Sequence, residues 1–201
     1  MDVMRLLQAI QGSPTPAVVR VAWNDAVLVK RLLDVGVQSI LYPYIQNAKE
    51  AAAAAAAMRY PPRGVRGVAT NSRATRFGCI PDYAQKADGE MCALIQAETL
   101  EAVKHIEAMA QIDGVDGIFI GPADLSASMG YLGQPRHPEV MKVIVDAIKR
   151  IRGAGKAAGF LTPNIDDAKM IIEAGANFCA VGSDSGLLVN ATNALVKTFK
   201  G

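Results

Sequence analysis

The amino-acid sequence predicts an α/β fold, and more specifically a TIM-type (β/α)8 barrel. Short apolar runs alternate with longer helical patterns, and the starts of the runs recur about every 25 residues. The runs are continuously apolar, which is typical of parallel strands that helices cover on both faces. Because no glycine-rich dinucleotide fingerprint follows a run, a doubly wound sheet is the less favoured alternative.

The sequence contains seven candidate strands, fewer than a closed barrel needs. They are residues 16–21, 38–45, 66–70, 91–98, 117–122, 157–161 and 178–184. A TIM barrel has eight strands and typically about 250 residues. The opening stretch is helical and resembles the second half of a first βα unit. We therefore expect residues 1–201 to form a single incomplete barrel domain that lacks its first strand.

Helix start signals follow most of these runs. A capping residue or a proline is expected where each helix begins, and the candidates are Asn24 or Asp25, Asn47, Thr99, Pro138 and Asp166. Gly36 is the expected stop of the first of these helices. The chain ends in an amphipathic helix over residues 187–200.

The composition excludes several classes of protein. Lys and Arg total 21 against 19 Asp and Glu, and no basic cluster suggests nucleic-acid binding. No run reaches the roughly 18 apolar residues of a membrane span, and the first residues do not resemble a signal peptide. The three cysteines have no metal-like spacing, so we expect them to be reduced. These features predict a cytoplasmic protein that acts on small molecules.

Two carboxylates are the strongest candidates for a functional site. In barrel enzymes the chemistry lies at the carboxyl ends of the strands. Glu98 and Asp124 follow consecutive candidate strands, so they should lie on neighbouring strands at the barrel mouth. Converging carboxylates repel each other unless a positive charge lies between them, and Mg²⁺ or Mn²⁺ suits such oxygen ligands. The alternative is that both residues are ordinary helix caps or partners in a salt bridge.

Neighbouring residues extend this site towards an anionic ligand. Gly121 allows close approach of the backbone, and the amides of Ala123 and Asp124 begin a helix, where anions bind. Arg20 ends another strand and offers a guanidinium to a carboxylate or oxyanion. The combination points to a small 2-oxo acid whose enolate form is stabilised electrostatically. For Trp23, the single tryptophan, packing is the default interpretation.

Several segments together resemble one family of enzymes. VVRVAWND, RYPPRGVRGV, IPDYAQKAD, IQAET, GVDGIFIGPADLSASMG and HPEV resemble the HpcH/HpaI family of metal-dependent (class II) pyruvate aldolases, near its 2-keto-3-deoxy sugar-acid and 4-hydroxy-2-oxo-heptanedioate aldolases. The resemblance implies retro-aldol cleavage of a 4-hydroxy-2-oxo acid to pyruvate and an aldehyde, through a metal-bound pyruvate enolate. It implies Mg²⁺, Mn²⁺ or Co²⁺ as the metal.

The resemblance also implies roles for individual residues. Glu98 and Asp124 match the metal ligands, Gln96 and the backbone at Ala123 match the pyruvate contacts, and Arg20 matches the arginine that stabilises the enolate. Asp34 matches an aspartate that increases the basicity of the catalytic histidine; this role depends on the resemblance alone. The family implies homo-oligomers, usually hexamers, in which the last helix is exchanged between subunits.

One departure from the family leaves two alternatives open. The first strand and the DGEH-type segment that carries the histidine base have no match here, and neither His105 nor His137 matches that position. One alternative is therefore a catalytically impaired fragment or pseudoenzyme that binds a keto acid and a metal. The other is an acyl-CoA lyase of the citrate lyase beta type, although no basic or glycine-rich feature for CoA is evident.

Overall fold

A single parallel sheet organises the structure, a computed structural model that describes residues 2–200. Within that range six strands form, and all of them pair in parallel. They are β1 Val18–Arg20, β2 Ser39–Tyr42, β3 Cys92–Ala97, β4 Gly117–Ile120, β5 Ala157–Leu161 and β6 Phe178–Ala180. Each strand pairs with the next along the chain, in the order β1-β2-β3-β4-β5-β6. This sequential order is that of barrel-type sheets and contradicts the doubly wound alternative, whose strand order reverses.

Residues 66–70 form no strand, so the prediction of seven strands is wrong. The reason is that β2 pairs directly with β3, which leaves no place between them. The segment instead folds back along the preceding helix, where the Arg66 N–H donates to the carbonyl of Arg59 over 2.9 Å. The buried Arg66 guanidinium lies 4.5 Å from the ring centroid of Tyr60, and this cation–π contact helps to fix the segment.

Helices follow the strands in the expected alternation. They are α1 Asp2–Ala9, α2 Ala26–Asp34, α3 Ala48–Met58, α4 Tyr83–Lys86, α5 Leu100–Lys104, α6 Ile106–Ala110, α7 Pro122–Ser128, α8 Pro138–Gly153, α9 Ile165–Glu173 and α10 Asp184–Lys200, with a 3₁₀ turn over Ala87–Glu90. None of these helices is long and apolar enough to cross a membrane, as far as the described residues show.

Side-chain caps explain where several of these helices begin. The Asp25 carboxylate accepts hydrogen bonds from the amides of Val27 and Leu28 and so begins α2. Asn47 and Thr99 cap α3 and α5 as predicted. The cap of α9 lies two residues earlier than expected, because Asn164, and not Asp166, supplies it.

The sheet has two differently packed faces. Outward-facing residues such as Ile40, Ile95 and Ile118 are buried against the helices and form the main core. The alternate residues Leu41, Leu94 and Phe119 form a small cluster on the inner face. Successive side chains of a strand point to opposite faces. Residues two positions beyond this inner cluster therefore also lie on the inner face, and they end the strands near the site.

Candidate functional site

The strand register places the predicted site residues on the inner face. Arg20 pairs with Leu41, and Leu41 pairs with Leu94, so Arg20 shares the inner face with that apolar cluster. Gln96 lies two residues beyond Leu94 on the same face of β3, and Glu98 follows immediately after the strand. The carboxyl ends of the strands therefore bring Arg20, Gln96 and Glu98 to one edge of the sheet.

Glu98 is the centre of this edge. Its side chain is buried, with 4% of the residue exposed, and both carboxylate oxygens accept hydrogen bonds. The backbone N–H of Tyr44 donates to Oε2 over 2.9 Å, and Nε2 of Gln96 donates to Oε1 over 2.6 Å. These two donors fix the orientation of the carboxylate before any ligand arrives.

The pKa of Glu98 depends on its burial and on the charges around it. Burial raises the pKa of Glu98 above its ordinary value, and the hydrogen bond from Tyr44 partly offsets this. The negative charge of Asp124 raises the pKa further, whereas the positive charge of Arg20 lowers it. The charges of Asp124 and Arg20 therefore both act on the Glu98 carboxyl group.

Asp124 lies in the first turn of α7, directly after β4. Gly121 and Pro122 begin this helix, whose first amides have no partner within the helix. The Asp124 side chain is exposed, and the carbonyl of Ala123 accepts a hydrogen bond from the Ser126 hydroxyl over 2.7 Å. The short helix thus presents the exposed Asp124 carboxylate after β4, the strand that pairs with β3 and so neighbours Glu98.

Gln96 leaves one polar atom for a ligand. Its Nε2 is used by Glu98, but its Oε1 is buried and has no hydrogen-bond partner among the described residues. An unpaired buried acceptor is costly unless a ligand or water completes it. Gln96 Oε1 is therefore suited to a donor or cation in the same site as Glu98.

The oxygen atoms available to a divalent cation at this edge belong to Glu98, Asp124 and Gln96. Two carboxylates and one amide oxygen are hard oxygen ligands, which suit Mg²⁺ or Mn²⁺ that keep several waters. In the part of the chain that the structure describes, no group of three or more His, Cys, Asp and Glu side chains is placed to hold a metal. The residues fit a cation with open positions and do not form a closed structural site.

Asp34 is not brought to this edge. It ends α2 and precedes the amino end of β2, whereas Arg20 and Glu98 lie at the carboxyl ends of their strands. The Asp34 carboxylate forms an ion pair with Lys30, and its Oδ1 lies 3.9 Å from Nη2 of Arg66. These contacts connect α2 to the buried Arg66 at the opposite end of the sheet.

The two histidines are held by other parts of the chain. His105 separates α5 from α6 and lies 3.0 Å from the Glu101 carboxylate. His137 begins α8, where its Nδ1 accepts the N–H of Glu139, and it stacks on Tyr131. Neither has a hydrogen bond to Glu98 or Arg20 within the described residues.

Sequence reasoning missed two aromatic residues at the site. Tyr44 provides the amide that holds Glu98, and it has a left-handed φ of 57°. Trp23 packs by stacking on Tyr44, yet 57% of it stays exposed, so packing accounts for only part of its surface. The available signal was positional: both residues follow the carboxyl end of a strand, β1 or β2.

Known proteins resemble the chain over nearly its whole length. A sequence model of the HpcH/HpaI aldolase/citrate lyase family matches residues 1–191. A pyruvate aldolase of Rhizobium etli is 53% identical over 199 residues, which cover 99% of this chain and 78% of that protein. A 4-hydroxy-2-oxo-heptane-1,7-dioate aldolase of Shigella sonnei is 54% identical over 198 residues, or 98% of this chain and 76% of that protein.

A solved structure gives the same result for the fold. An HpcH/HpaI aldolase/citrate lyase family protein from Burkholderia cenocepacia superposes with a TM-score of 0.95 at 36% identity, covering 100% of this chain and 80% of that one. A second structure, an HpcH/HpaI aldolase from Desulfitobacterium hafniense, has a TM-score of 0.91 at 29% identity and covers 99% of this chain and 78% of that one.

Proposed function

The chain belongs to the HpcH/HpaI aldolase/citrate lyase family, and from this premise we propose that it cleaves 4-hydroxy-2-oxo acids into pyruvate and an aldehyde. One observation carries the proposal: Glu98 packs against Gly121, the residue that precedes the helix of Asp124, while Arg20 ends β1 at the same carboxyl edge of the sheet. The sequential strand order supports a TIM-type barrel for this domain, with the site at the edge where such barrels carry their chemistry.

In this proposal Glu98 and Asp124 hold a divalent cation, Mg²⁺, Mn²⁺ or Co²⁺. When bound, the cation acts as a Lewis acid that withdraws electron density from the 2-oxo group of the substrate. The first-turn amides at Ala123 and Asp124 donate to the carboxylate of the oxo acid. Gln96 Oε1 is an acceptor with no partner among the described residues, and it contacts the oxo acid through a water that donates to both. The two donors to Glu98 keep its carboxylate aimed at the site.

The reaction breaks the bond between C3 and C4 of the substrate. The 4-hydroxyl loses its proton as C4 becomes the aldehyde carbonyl, and the electron pair of the broken bond passes to the 2-oxo oxygen. Arg20 stabilises the negative charge that develops there, because a guanidinium is always protonated and binds oxyanions well. Protonation at C3 then gives pyruvate. Water accepts the 4-hydroxyl proton and supplies the proton that reaches C3, because both described histidines are held away from the site.

For Asp34, the resemblance remains the sole support for a role in increasing the basicity of a histidine. Its position at the amino end of β2, beside Lys30 and Arg66, gives that role no support within one chain. This role of Asp34 therefore stays a proposal, separate from the proposed roles of the residues at the site.

We further propose that the protein is a homo-oligomer in which α10 packs on a second copy. The structure describes every residue of α10, and none is buried. Its large apolar side chains are exposed, from 49% at Val196 to 82% at Phe199. Such a surface is too apolar to stay in water without a partner. It includes the predicted exchanged segment 187–200, and a hexamer follows from the resemblance alone.

The test is pyruvate release from 4-hydroxy-2-oxo-heptanedioate by the full chain with Mg²⁺ or Mn²⁺. EDTA should abolish release, and Glu98→Gln should lower it by about a hundredfold or more. Glu101→Gln is the matched control, because this exposed glutamate lies nearby on α5 and contacts Lys104 and His105. Release that persists in both EDTA and Glu98→Gln would contradict the proposal.

Two further assays separate the alternatives. Calorimetry that detects metal-dependent binding of pyruvate or oxalate, without turnover, would indicate an impaired binding protein instead of an active aldolase. Cleavage of an acyl-CoA thioester in preference to the free oxo acid would indicate the citrate lyase branch of the family.

A further inference from the structure

Two exposed aromatic rings stand together beside the proposed active site. The rings of Trp23 and Tyr44 stack with centroids 6.0 Å apart and an angle of 27° between their planes. Trp23 is 57% exposed and Tyr44 is 42% exposed. Large aromatic side chains bury far more surface when they have a partner on their open face, and a pair left open next to a site is a candidate ligand surface.

Both residues are tied to the site by short connections. The backbone N–H of Tyr44 donates to Oε2 of Glu98 over 2.9 Å. The Tyr44 ring therefore belongs to a residue whose backbone contacts the proposed active site. Trp23 follows Arg20 by three residues after β1 ends. The pair, called here the aromatic wall, therefore lies at the same carboxyl edge of the sheet as Arg20 and Glu98.

The wall is held rigidly without any ligand. The side-chain amide of Asn24 donates to the carbonyl of Glu50 over 3.1 Å, which ties the loop after β1 to α3. The Ile45 N–H donates to the carbonyl of Gln96 over 3.0 Å, which ties the loop after β2 to β3. Surfaces fixed in this way bind without a further ordering cost.

The chemistry of the wall selects one part of the substrate. Residues 21–25 and 43–47 contain no Lys or Arg, so neither loop offers a cation to a phosphate or a carboxylate. The oxo-acid half of the substrate is already assigned to Gln96, Arg20 and the amides at Ala123 and Asp124. The half that remains is the aldehyde, and stacked rings suit the C–H faces of a carbon chain or ring.

We propose that the Trp23–Tyr44 pair binds the carbon skeleton of the aldehyde half, and so favours unphosphorylated aldehydes with longer chains over very short ones. The inference rests on the proposed function, because it uses the same site and the same reaction. Trp23 and Tyr44 act on specificity, whereas Glu98, Asp124 and Arg20 act on the bond that breaks.

The test runs the reaction towards addition, with pyruvate, Mn²⁺ and either hexanal or acetaldehyde. The ratio of kcat/KM for hexanal to that for acetaldehyde should fall about tenfold in Trp23→Ala and in Tyr44→Asn, mainly through a higher KM for hexanal. Asparagine is chosen at position 44 because it tolerates a positive φ and keeps the amide that holds Glu98. Phe77→Ala is the matched control, since Phe77 is 71% exposed but lines a cavity with Gly36, at the other end of the sheet.

A second measurement is independent of turnover. Trp23 is the single tryptophan of the chain, so hexanal added with pyruvate and Mn²⁺ should shift its fluorescence, whereas equal acetaldehyde should not. Decarboxylation of oxaloacetate, which forms pyruvate enolate without an aldehyde, reports the core chemistry separately. An unchanged hexanal-to-acetaldehyde ratio in both variants, or no fluorescence shift, overturns the inference. If the unaltered chain neither decarboxylates oxaloacetate nor releases pyruvate, the proposed function is overturned instead.

Discussion

Gly121 packs directly against the side chain of Glu98. A Cβ atom on Gly121 would lie 2.6 Å from Cγ of Glu98 and 2.9 Å from its carboxyl carbon, closer than real Cβ contacts allow. Gly121 is also the one residue between β4 and α7, the helix that carries Asp124. The missing side chain at position 121 therefore lets the two carboxylates approach from neighbouring strands.

Gly121→Ala should displace Glu98 and weaken the site. The added methyl meets the Glu98 side chain, whose carboxylate is held by Tyr44 and Gln96, so the carboxylate or α7 must shift. A displacement of about 1 Å at a catalytic group costs roughly a hundredfold in rate. We expect pyruvate release to fall by that order, and calorimetry to show weaker Mn²⁺ binding.

Gly153→Ala is the matched control for this substitution. A Cβ on Gly153 would meet nothing within 4 Å, and the residue ends α8, where alanine favours the helix. Its activity should equal that of the unaltered chain. Equal Mn²⁺ affinity in Gly121→Ala and Gly153→Ala would show that the contact with Glu98 does not position the carboxylate.

The buried Glu98 should make the metal-free protein less stable as the pH rises. Burial raises the pKa of Glu98, so the folded protein binds this proton more tightly than the unfolded chain does. The resulting contribution to stability is complete below the ordinary carboxyl pKa and is lost as the pH rises through the raised pKa. Urea unfolding in EDTA across this range should therefore show a decline that Glu98→Gln reduces.

The same experiment with Mn²⁺ should remove the decline, because the cation binds the ionised carboxylate and stabilises the folded state. The effect of Glu98 is the difference between the unaltered chain and Glu98→Gln, because this substitution removes one carboxyl group and leaves the others in place. Parallel pH profiles for the unaltered chain and Glu98→Gln would mean that Glu98 ionises without penalty.

The fold could be predicted from the sequence wherever local and global signals agree. All six strands of the described chain coincide with predicted runs, because buried parallel strands are continuously apolar. The strand predicted over residues 66–70 does not form, since Arg66 is buried by stacking on Tyr60 and not by strand pairing. Period and polarity alone do not distinguish a strand from a segment that a buried cation fixes.

The candidate site was predictable to the same degree. Gln96, Glu98 and Arg20 follow from the rule that parallel strands end at one edge, and the structure places them there. Tyr44 was not predictable, because its contribution is a backbone amide presented from a left-handed conformation. A side-chain pattern carries no signal for such a contact.

Arg20→Lys should reduce the rate more than the affinity. Lysine keeps the positive charge but loses the planar pair of donors that suits an oxyanion. If Arg20 stabilises charge that develops in the transition state, kcat should fall by about a hundredfold, with a smaller change in KM. Steady-state kinetics of pyruvate release measures both. Arg31→Lys is the control, because Arg31 is exposed on α2. A change confined to KM would mean that Arg20 only binds substrate.

Substitutions in α10 should separate the subunits. They should not directly change the residues that are proposed to carry out the reaction. Leu188 is 69% exposed and Leu195 is 60% exposed, and they lie seven residues apart, or about two turns, on one face of the helix. Because charged groups are costly to bury at an interface, Leu188→Asp with Leu195→Asp should convert an oligomer to the 21.2 kDa monomer. Light scattering after size exclusion measures this mass.

Asn193→Asp introduces the same charge into α10 at an exposed polar position, so it should leave the oligomer intact. A monomer for the unaltered chain at every concentration would refute the packing of α10 on a second copy. The opposite failure is equally informative: if the double variant keeps the mass of the oligomer, another surface holds the subunits together. Dissociation that also lowers pyruvate release would show that the second copy contributes to the working site, since neither leucine is one of the residues that meet at Glu98.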